Sequence, residues 1–463
     1  MQTSKGSSLG IILKVLFALA VFVVLDVLIT FARAPYGSKS QVAWCEYARE
    51  QKGDIDTLIV GSSTVMAGLD PAVLDEELGT YAYNLATPDQ WLEESLVGIR
   101  TAYEDHGIKR VILGLTHAQV LREGTPNPSS AYMFRRGQVV SPRQNAEGIC
   151  YLLFDAGAIG ERESVTMLFP WVSNHVDNNV SATRKNLRMK LDGTTLLDAA
   201  EVSEKGWTYR GKGFGTYNGT LDYNTGSASY FAQDKRGDLG KTEENSGTIN
   251  AQRAAVLRQI CAYCAEHDID LIAVAAPMPA YNVIEYGDNY FAVGSRLKEL
   301  MEAGGARYWD FNLARGELLQ MDEELFRDTE HMNGKGAEAF TRALCQVIRE
   351  AGEGHDVDGL FYGQDEYLRS IDTISCVFCD ASCEADGIHL TARAMTGSEV
   401  DVEYQFCREV DGEWQVVRDW STDANCVVVP DKGAHGMANL RVNARVVGSD
   451  AEFDRYRTLK AMY

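Results

Sequence analysis

The run Thr57-Leu58-Ile59-Val60-Gly61-Ser62-Ser63 joins a short apolar, β-branched segment to a glycine and two hydroxyls. Such a segment reads as a buried strand that ends at the glycine. Four more segments of the same kind follow: Tyr81-Ala82-Tyr83-Asn84-Leu85, Arg110-Val111-Ile112-Leu113, Leu271-Ile272-Ala273-Val274-Ala275 and Arg307-Tyr308-Trp309-Asp310-Phe311. Between them, helical spacing recurs in Leu92, Leu96, Ile99 and Tyr103, in Leu257, Ile260, Cys261 and Cys264, and in Phe340, Leu344, Val347 and Ile348. Strands with little alternation, separated by amphipathic helices, predict an α/β domain of three layers with a parallel sheet covered on both faces. Ligands of such folds gather at the carboxyl ends of the strands, where Ser63 stands.

The chain has 463 residues, 45% hydrophobic and 24% charged, enough for several folded domains. Its 44 Lys and Arg face 66 Asp and Glu, a net charge of -22 with no basic stripe, which excludes nucleic acid as a partner.

Before the first strand, Leu9–Phe31 is apolar except for Lys14 and Asp26. At ~1.5 Å per residue it reaches about 34 Å, enough for a ~30 Å hydrocarbon layer. The rival reading is a cleaved signal peptide with Ala32-Arg33-Ala34 as its site, but Pro35 then follows the cut and suits a protease badly. The expectation is a tail over 1–8 and an uncleaved transmembrane anchor over 9–33, making a single-pass protein of the cell membrane. Lys5 before the span and Arg33 and Lys39 after it leave the orientation undecided by charge.

Residues 37–355 form the expected α/β domain, interrupted over about 121–246 by a long insertion without sustained helical or strand period, read as irregular structure. Its aromatics Trp171, Trp207, Tyr209, Phe214 and Tyr217 either line a sugar-binding groove or fill a small core. Beyond it, Val402-Glu403-Tyr404-Gln405-Phe406, Trp414-Gln415-Val416-Val417 and Leu440-Arg441-Val442-Asn443-Ala444 alternate at period two, with the turn signal Asp411-Gly412 between the first pair. They predict a small antiparallel β-sandwich over 365–463, loosely similar to triple-tyrosine and immunoglobulin-like modules of bacterial surface proteins.

Two elements carry chemistry. Ser63 follows the first strand two positions after a glycine, and Asp328-Thr329-Glu330-His331 follows the last. A neutral imidazole accepts a serine proton, and a carboxylate on its other nitrogen fixes the tautomer and stabilises the imidazolium. Taken alone, Gly61-Ser62-Ser63 is equally an anion-holding turn, and His331 a solvated loop histidine.

Together the elements resemble the SGNH (GDSL-like) hydrolase superfamily over about Ile55–Leu344, with Gly61-Ser62-Ser63 as the first block and Asp328-Thr329-Glu330-His331 before the closing helix. The anchor and insertion look most like its membrane-tethered branch, similar to proteins of teichoic-acid D-alanylation and exopolysaccharide O-acetylation. The resemblance implies Ser63 as nucleophile, His331 as general base and Asp328 as its orienter. It also implies an extracytoplasmic site, an acylated cell-envelope polysaccharide or teichoic-acid-like polymer as substrate, and a membrane acyltransferase as partner. It calls for no cofactor and no metal.

The other family blocks depart from the pattern. The second-block glycine aligns at Ala86 of Asn84-Leu85-Ala86, and the asparagine block at Gly114-Leu115-Thr116-His117. The expected oxyanion or substrate-binding residues are therefore Ala86, Thr116, Asn84 and His117, with the family's asparagine donor missing. The serine esterase or O-acyltransferase thus has an alternative, a catalytically inactive relative that binds envelope polymer or supports its assembly.

The chain has ten cysteines. Cys261 and Cys264 read as buried apolar residues of a helix, whereas Cys376, Cys379 and Cys383, with His389 beyond, read as partners for disulfides with Cys407 or Cys426 rather than as a zinc site.

Overall fold

The computed structural model describes residues 5–125, 131–160, 169–222, 224, 248–371, 373–429 and 436–462. The first four residues of the expected tail, and residues 126–130, 161–168, 223 and 225–247 of the expected insertion, lie outside the described residues.

In chain order come β1 (Thr57–Val60), β2 (Ala82–Asn84), β3 (Arg110–Gly114), a hairpin of β4 (Trp207–Gly211) and β5 (Phe214–Tyr217), then β6 (Asp270–Ala275) and β7 (Arg307–Asp310). Five of these form one parallel sheet in the order β2-β1-β3-β6-β7. This is a doubly wound order whose reversal falls between β1 and β3. Every residue of β1 and β2 is buried, which is why neither alternates in sequence.

The chain forms two compact units. One comprises Met1–Met66, Tyr81–Val111 and Glu123–Thr216, the other Ala67–Thr80, Ile112–Arg122 and Tyr217–Tyr463.

In the first unit, the helix Lys5–Arg33 contains a stretch, Gly10–Arg33, long and apolar enough to cross a membrane. The chain leaving it is built into the fold at once. Ala34 and Trp44 are buried, and Arg135 Nη2 donates to the Pro35 carbonyl at 2.7 Å. The described part of the insertion carries capped helices that its sequence pattern does not announce. Ser141 caps the helix Pro142–Cys150 in a box with Gln144, and Asn179 and Thr195 cap Val180–Leu191 and Leu196–Ser203. Short helices like these carry too few apolar turns to set a period.

The β4–β5 hairpin turns through Lys212 (φ 51°) and Gly213 (φ 79°), the two positive φ values of a type I′ turn. Its tip sits on the end of β2, where Asn84 N–H donates to the Lys212 carbonyl at 2.9 Å. A Cβ on Gly213 would stand 1.9 Å from the Asn84 carbonyl oxygen. Trp207 and Phe214 are buried, so these two aromatics fill a core.

In the second unit, the helix Gly334–Gly352 buries Phe340, Leu344, Val347 and Ile348 along one stripe. The C-terminal part is antiparallel, with β8 (Cys376–Glu384), β9 (Gly387–Met395), β10 (Val402–Val410), β11 (Glu413–Ser421), β12 (Asn425–Val428), β13 (Met437–Val446) and β14 (Arg455–Met462). They make two sheets, β11-β10-β13-β14 and β12-β9-β8. Val377, Ile388 and Leu390 of one share a core with Phe406, Leu440 and Val442 of the other.

All ten cysteines are free thiols, a correction to the expected disulfides. The strand register gives the reason: Cys379 faces Ala392 across the β8–β9 ladder and Cys426 faces Leu390 on the other side of β9, while Cys407 belongs to the second sheet. On a strand rising ~3.3 Å per residue, Cys379 and Cys383 are about 13 Å apart, beyond a shared metal ion.

Candidate active site

The segment between β7 and the helix Gly334–Gly352 folds back on itself. Phe326 and Met332 pair as an antiparallel bridge, and Arg327 N–H donates to the His331 carbonyl at 3.0 Å. Asn333, 3% exposed, locks the base of this loop. Its Oδ1 accepts from the Gly336 amide at 3.1 Å, and its Nδ2 donates to the carbonyls of Glu324 (2.6 Å) and Gly219 (3.1 Å).

Inside the loop, His331 Nδ1 lies 2.8 Å from Asp328 Oδ1 and 3.0 Å from Oδ2. The amides of Glu330 (3.0 Å) and His331 (2.9 Å) also donate to Oδ1, and Arg327 Nε lies 3.1 Å from Oδ2. Burial alone pushes the Asp328 carboxyl up. The bonds and charges of His331, the Glu330 amide and Arg327 outweigh it and hold the group at about 2. With Asp328 on Nδ1, the neutral ring carries its proton there, and Nε2 is the acceptor nitrogen. The Arg327 guanidinium itself packs 4.1 Å over the Tyr217 ring. Neither Arg327 nor Tyr217 carried a signal in sequence beyond proximity to the Asp-x-x-His segment or membership of an aromatic-rich stretch.

Ser63 belongs to the first unit, Asp328 and His331 to the second. Ser63 is the first residue of the helix Ser63–Gly68, directly beyond β1, and is half-buried. The turn before it depends on Gly61, whose φ of 139° disfavours any side chain. Gln90 holds that turn by accepting the Gly61 N–H at 2.7 Å, and the Thr87 amide donates to the Gly61 carbonyl at 3.1 Å. Gln90 is 1% exposed and was not singled out in sequence, because nothing local links it to a turn so far up the chain.

The remaining candidates are engaged locally. Asn84 is fully buried; its Oδ1 accepts the Ala86 amide at 3.0 Å, and its Nδ2 donates to the Val65 carbonyl at 3.1 Å. Thr116 is an N-cap: its hydroxyl accepts the Gln119 amide at 3.2 Å, and its own amide donates to Gln119 Oε1 at 2.9 Å. His117 is buried, stacks on Tyr290 at 4.1 Å between centroids, and bonds the Tyr290 carbonyl through Nε2 at 2.9 Å. The Tyr290 hydroxyl in turn donates to Asp310 at the end of β7, at 2.8 Å to Oδ2. Burial raises the Asp310 carboxyl, and the bonds from Asn312 and Tyr290 counter that only in part. Asp310 lay within a segment read only as a strand, so this buried network was not visible in sequence.

Cys261 and Cys264 are buried on their helix, and burial pushes their thiols up to about 11 and about 12. A cleft of about 660 Å³ lined by residues including Arg258, Cys261, Arg296 and Gly304 holds none of the candidate residues.

Neither a protein-family model nor a curated protein matches the chain. Among solved structures, an endo-β-1,4-mannanase from Thermotoga petrophila aligns at 11% identity over 92% of this chain and 95% of its own, with a TM-score of 0.18. An engineered protein aligns at 11% identity over 93% of this chain and 97% of its own, with a TM-score of 0.12. Overlaps at these scores bear on neither fold nor chemistry.

Proposed function

We propose that this chain is a membrane-anchored, extracytoplasmic serine esterase or O-acyltransferase of SGNH type, acting on acyl groups of cell-envelope glycopolymers. The observation that carries the proposal is the Asp328–His331 pair, with the carboxylate held ionised against the imidazole at 2.8 Å on the loop after the last parallel strand.

On this reading Ser63 Oγ attacks the ester carbonyl carbon while His331 Nε2 takes its proton. Asp328 stays ionised and stabilises the imidazolium. The polymer oxygen leaves with the proton from His331, giving an acyl-Ser63 ester. Water, or a second hydroxyl in the transferase, then attacks that ester with His331 again as base. The anchor is supported by the way its carboxyl end is built into the first unit: Asn186 Nδ2 donates to the carbonyls of Ala32 and Ala34, both at 2.9 Å. Cleavage after Ala34 would remove both acceptors.

A second reading, a catalytically silent polymer-binding or assembly protein, is favoured by one observation. The two expected oxyanion donors are already committed, Ala86 N–H to Asn84 Oδ1 and the Thr116 O–H to Gln119 Oε1 at 3.2 Å. In the enzyme, the Ala86 amide would have to exchange its side-chain partner for the oxyanion; lacking one such donor typically costs ~10²–10³ in rate.

Labelling the detergent-solubilised full chain with a fluorophosphonate separates the two. The enzyme predicts labelling of wild type that is lost in Ser63→Ala and reduced in His331→Ala. An unlabelled wild type, or undiminished labelling of Ser63→Ala, overturns it.

A further inference from the structure

The apolar helix does not stand apart from the rest of the first unit. Near its carboxyl end, Trp171 Nε1 donates to Asp26 Oδ1 at 2.7 Å, and Phe169 meets Phe22 edge-to-face at 5.8 Å. At ~1.5 Å per residue, Asp26 lies about 10 Å and Phe22 about 16 Å below Arg33 along the helix. If Gly10–Arg33 spans the bilayer, Phe169 and Trp171 are inside it too. The contact also resolves a cost: an acid within an apolar span needs a partner, and the indole N–H supplies one. Val172 is 42% exposed on the same short segment.

Directly after it, the helix Val180–Leu191 carries Arg184, Lys185, Arg188 and Lys190 and no acid, in a chain of net charge -22. Its position is fixed at the end of the anchor. Asn186 holds Ala32 and Ala34, and Lys190 Nζ donates to the carbonyls of Phe31 (2.5 Å) and Ala34 (2.6 Å). Arg184, Lys185 and Arg188 are exposed and form no ion pair with a described residue. Beside the same stretch, buried Arg33 Nε and Arg135 Nε and Nη1 have no hydrogen-bond acceptor among the described residues. Cations gathered at the level of a membrane surface are the chemistry that recognises phosphate headgroups.

We infer that the first unit enters the membrane a second time beside its anchor, with Phe169–Val172 in the acyl layer and the Val180–Leu191 helix in the headgroup layer, binding anionic phospholipid. The inference rests on reading Gly10–Arg33 as a membrane span and is independent of the chemistry at Ser63.

The test uses the full chain in nanodiscs. With doxyl groups on the phosphatidylcholine acyl chains, tryptophan emission of wild type is quenched, and Trp171→Phe removes that quench. Replacing pure phosphatidylcholine by equal parts phosphatidylcholine and phosphatidylglycerol slows deuterium exchange across 180–191, and the triple variant Arg184→Gln, Lys185→Gln, Arg188→Gln loses the slowing. Equal quenching in Trp171→Phe, or exchange indifferent to phosphatidylglycerol, overturns the inference. Carbonate washing of native membranes tests the span separately. Release of wild type overturns both, while retention with an unquenched Trp171 overturns this inference alone.

Discussion

Asp328 Oδ1 receives His331 twice, through the ring Nδ1 at 2.8 Å and through the backbone amide at 2.9 Å. One carboxylate therefore fixes both the imidazole and the peptide that carries it. Asp328→Asn keeps the size of the side chain and loses the charge that favours the Nδ1–H tautomer. For the proposed esterase, kcat on a small acetyl ester is expected to fall by ~10³–10⁴ with KM little changed. Steady-state kinetics of the two proteins checks it.

The same carboxylate links stability to acid. Its folded value of about 2 lies below the ordinary 3.8, so its contribution is complete above about pH 4 and is lost as the pH falls through about 2. Wild type should out-melt Asp328→Asn at pH 5, and the gap should close between pH 4 and pH 2. Thermal melts of both proteins across that range measure it. A gap that stays constant would mean that the carboxylate does not gain its charge stabilisation from the fold.

Gly61→Ala places a side chain at φ 139°. The strain is expected to cost about 1–3 kcal/mol and to displace the turn that presents Ser63. Denaturant unfolding reads the first effect, and fluorophosphonate labelling the second.

Asn84→Ala leaves the buried Ala86 amide and Val65 carbonyl without their side-chain partner. A loss of about 2–4 kcal/mol is expected. Gly213→Ala should shift stability the same way, because its Cβ would meet the Asn84 carbonyl. Chemical denaturation of the single variants gives both numbers.

Asn333→Ala removes a helix cap and two bonds that close the loop of His331. The expected loss is about 2–4 kcal/mol. Faster deuterium exchange across 326–333 would localise it to that loop.

The five parallel strands were legible because each is a compact apolar run, and Asp411-Gly412 marked its hairpin because both residues take positive φ. Strands β8, β9, β12 and β14 were not. Only Cys376, Val377 and Phe378 of β8 are buried and its second half is exposed, so its apolar run is too short to announce nine residues, and β14 interleaves Arg455, Arg457 and Lys460. The Asp328–His331 pair was readable because both groups lie within one short loop. The engagement of Ala86 by Asn84 was not, and neither was the stacking of His117 on Tyr290. Both are settled by packing rather than by spacing.

The stretch from Ala34 to Ser38 has no slack. Arg135 holds the Pro35 carbonyl, the Tyr36 hydroxyl donates to Thr194, Gly37 packs too closely against Ala199 for a side chain, and Ser38 caps the next helix. If Gly10–Arg33 spans a membrane as proposed, a protein fastened this way rides on a mast rather than a leash. Under the proposed activity Ser63, in the same unit, would then work at one set height above the lipid, and a polymer would have to be brought down or threaded past that level to be modified.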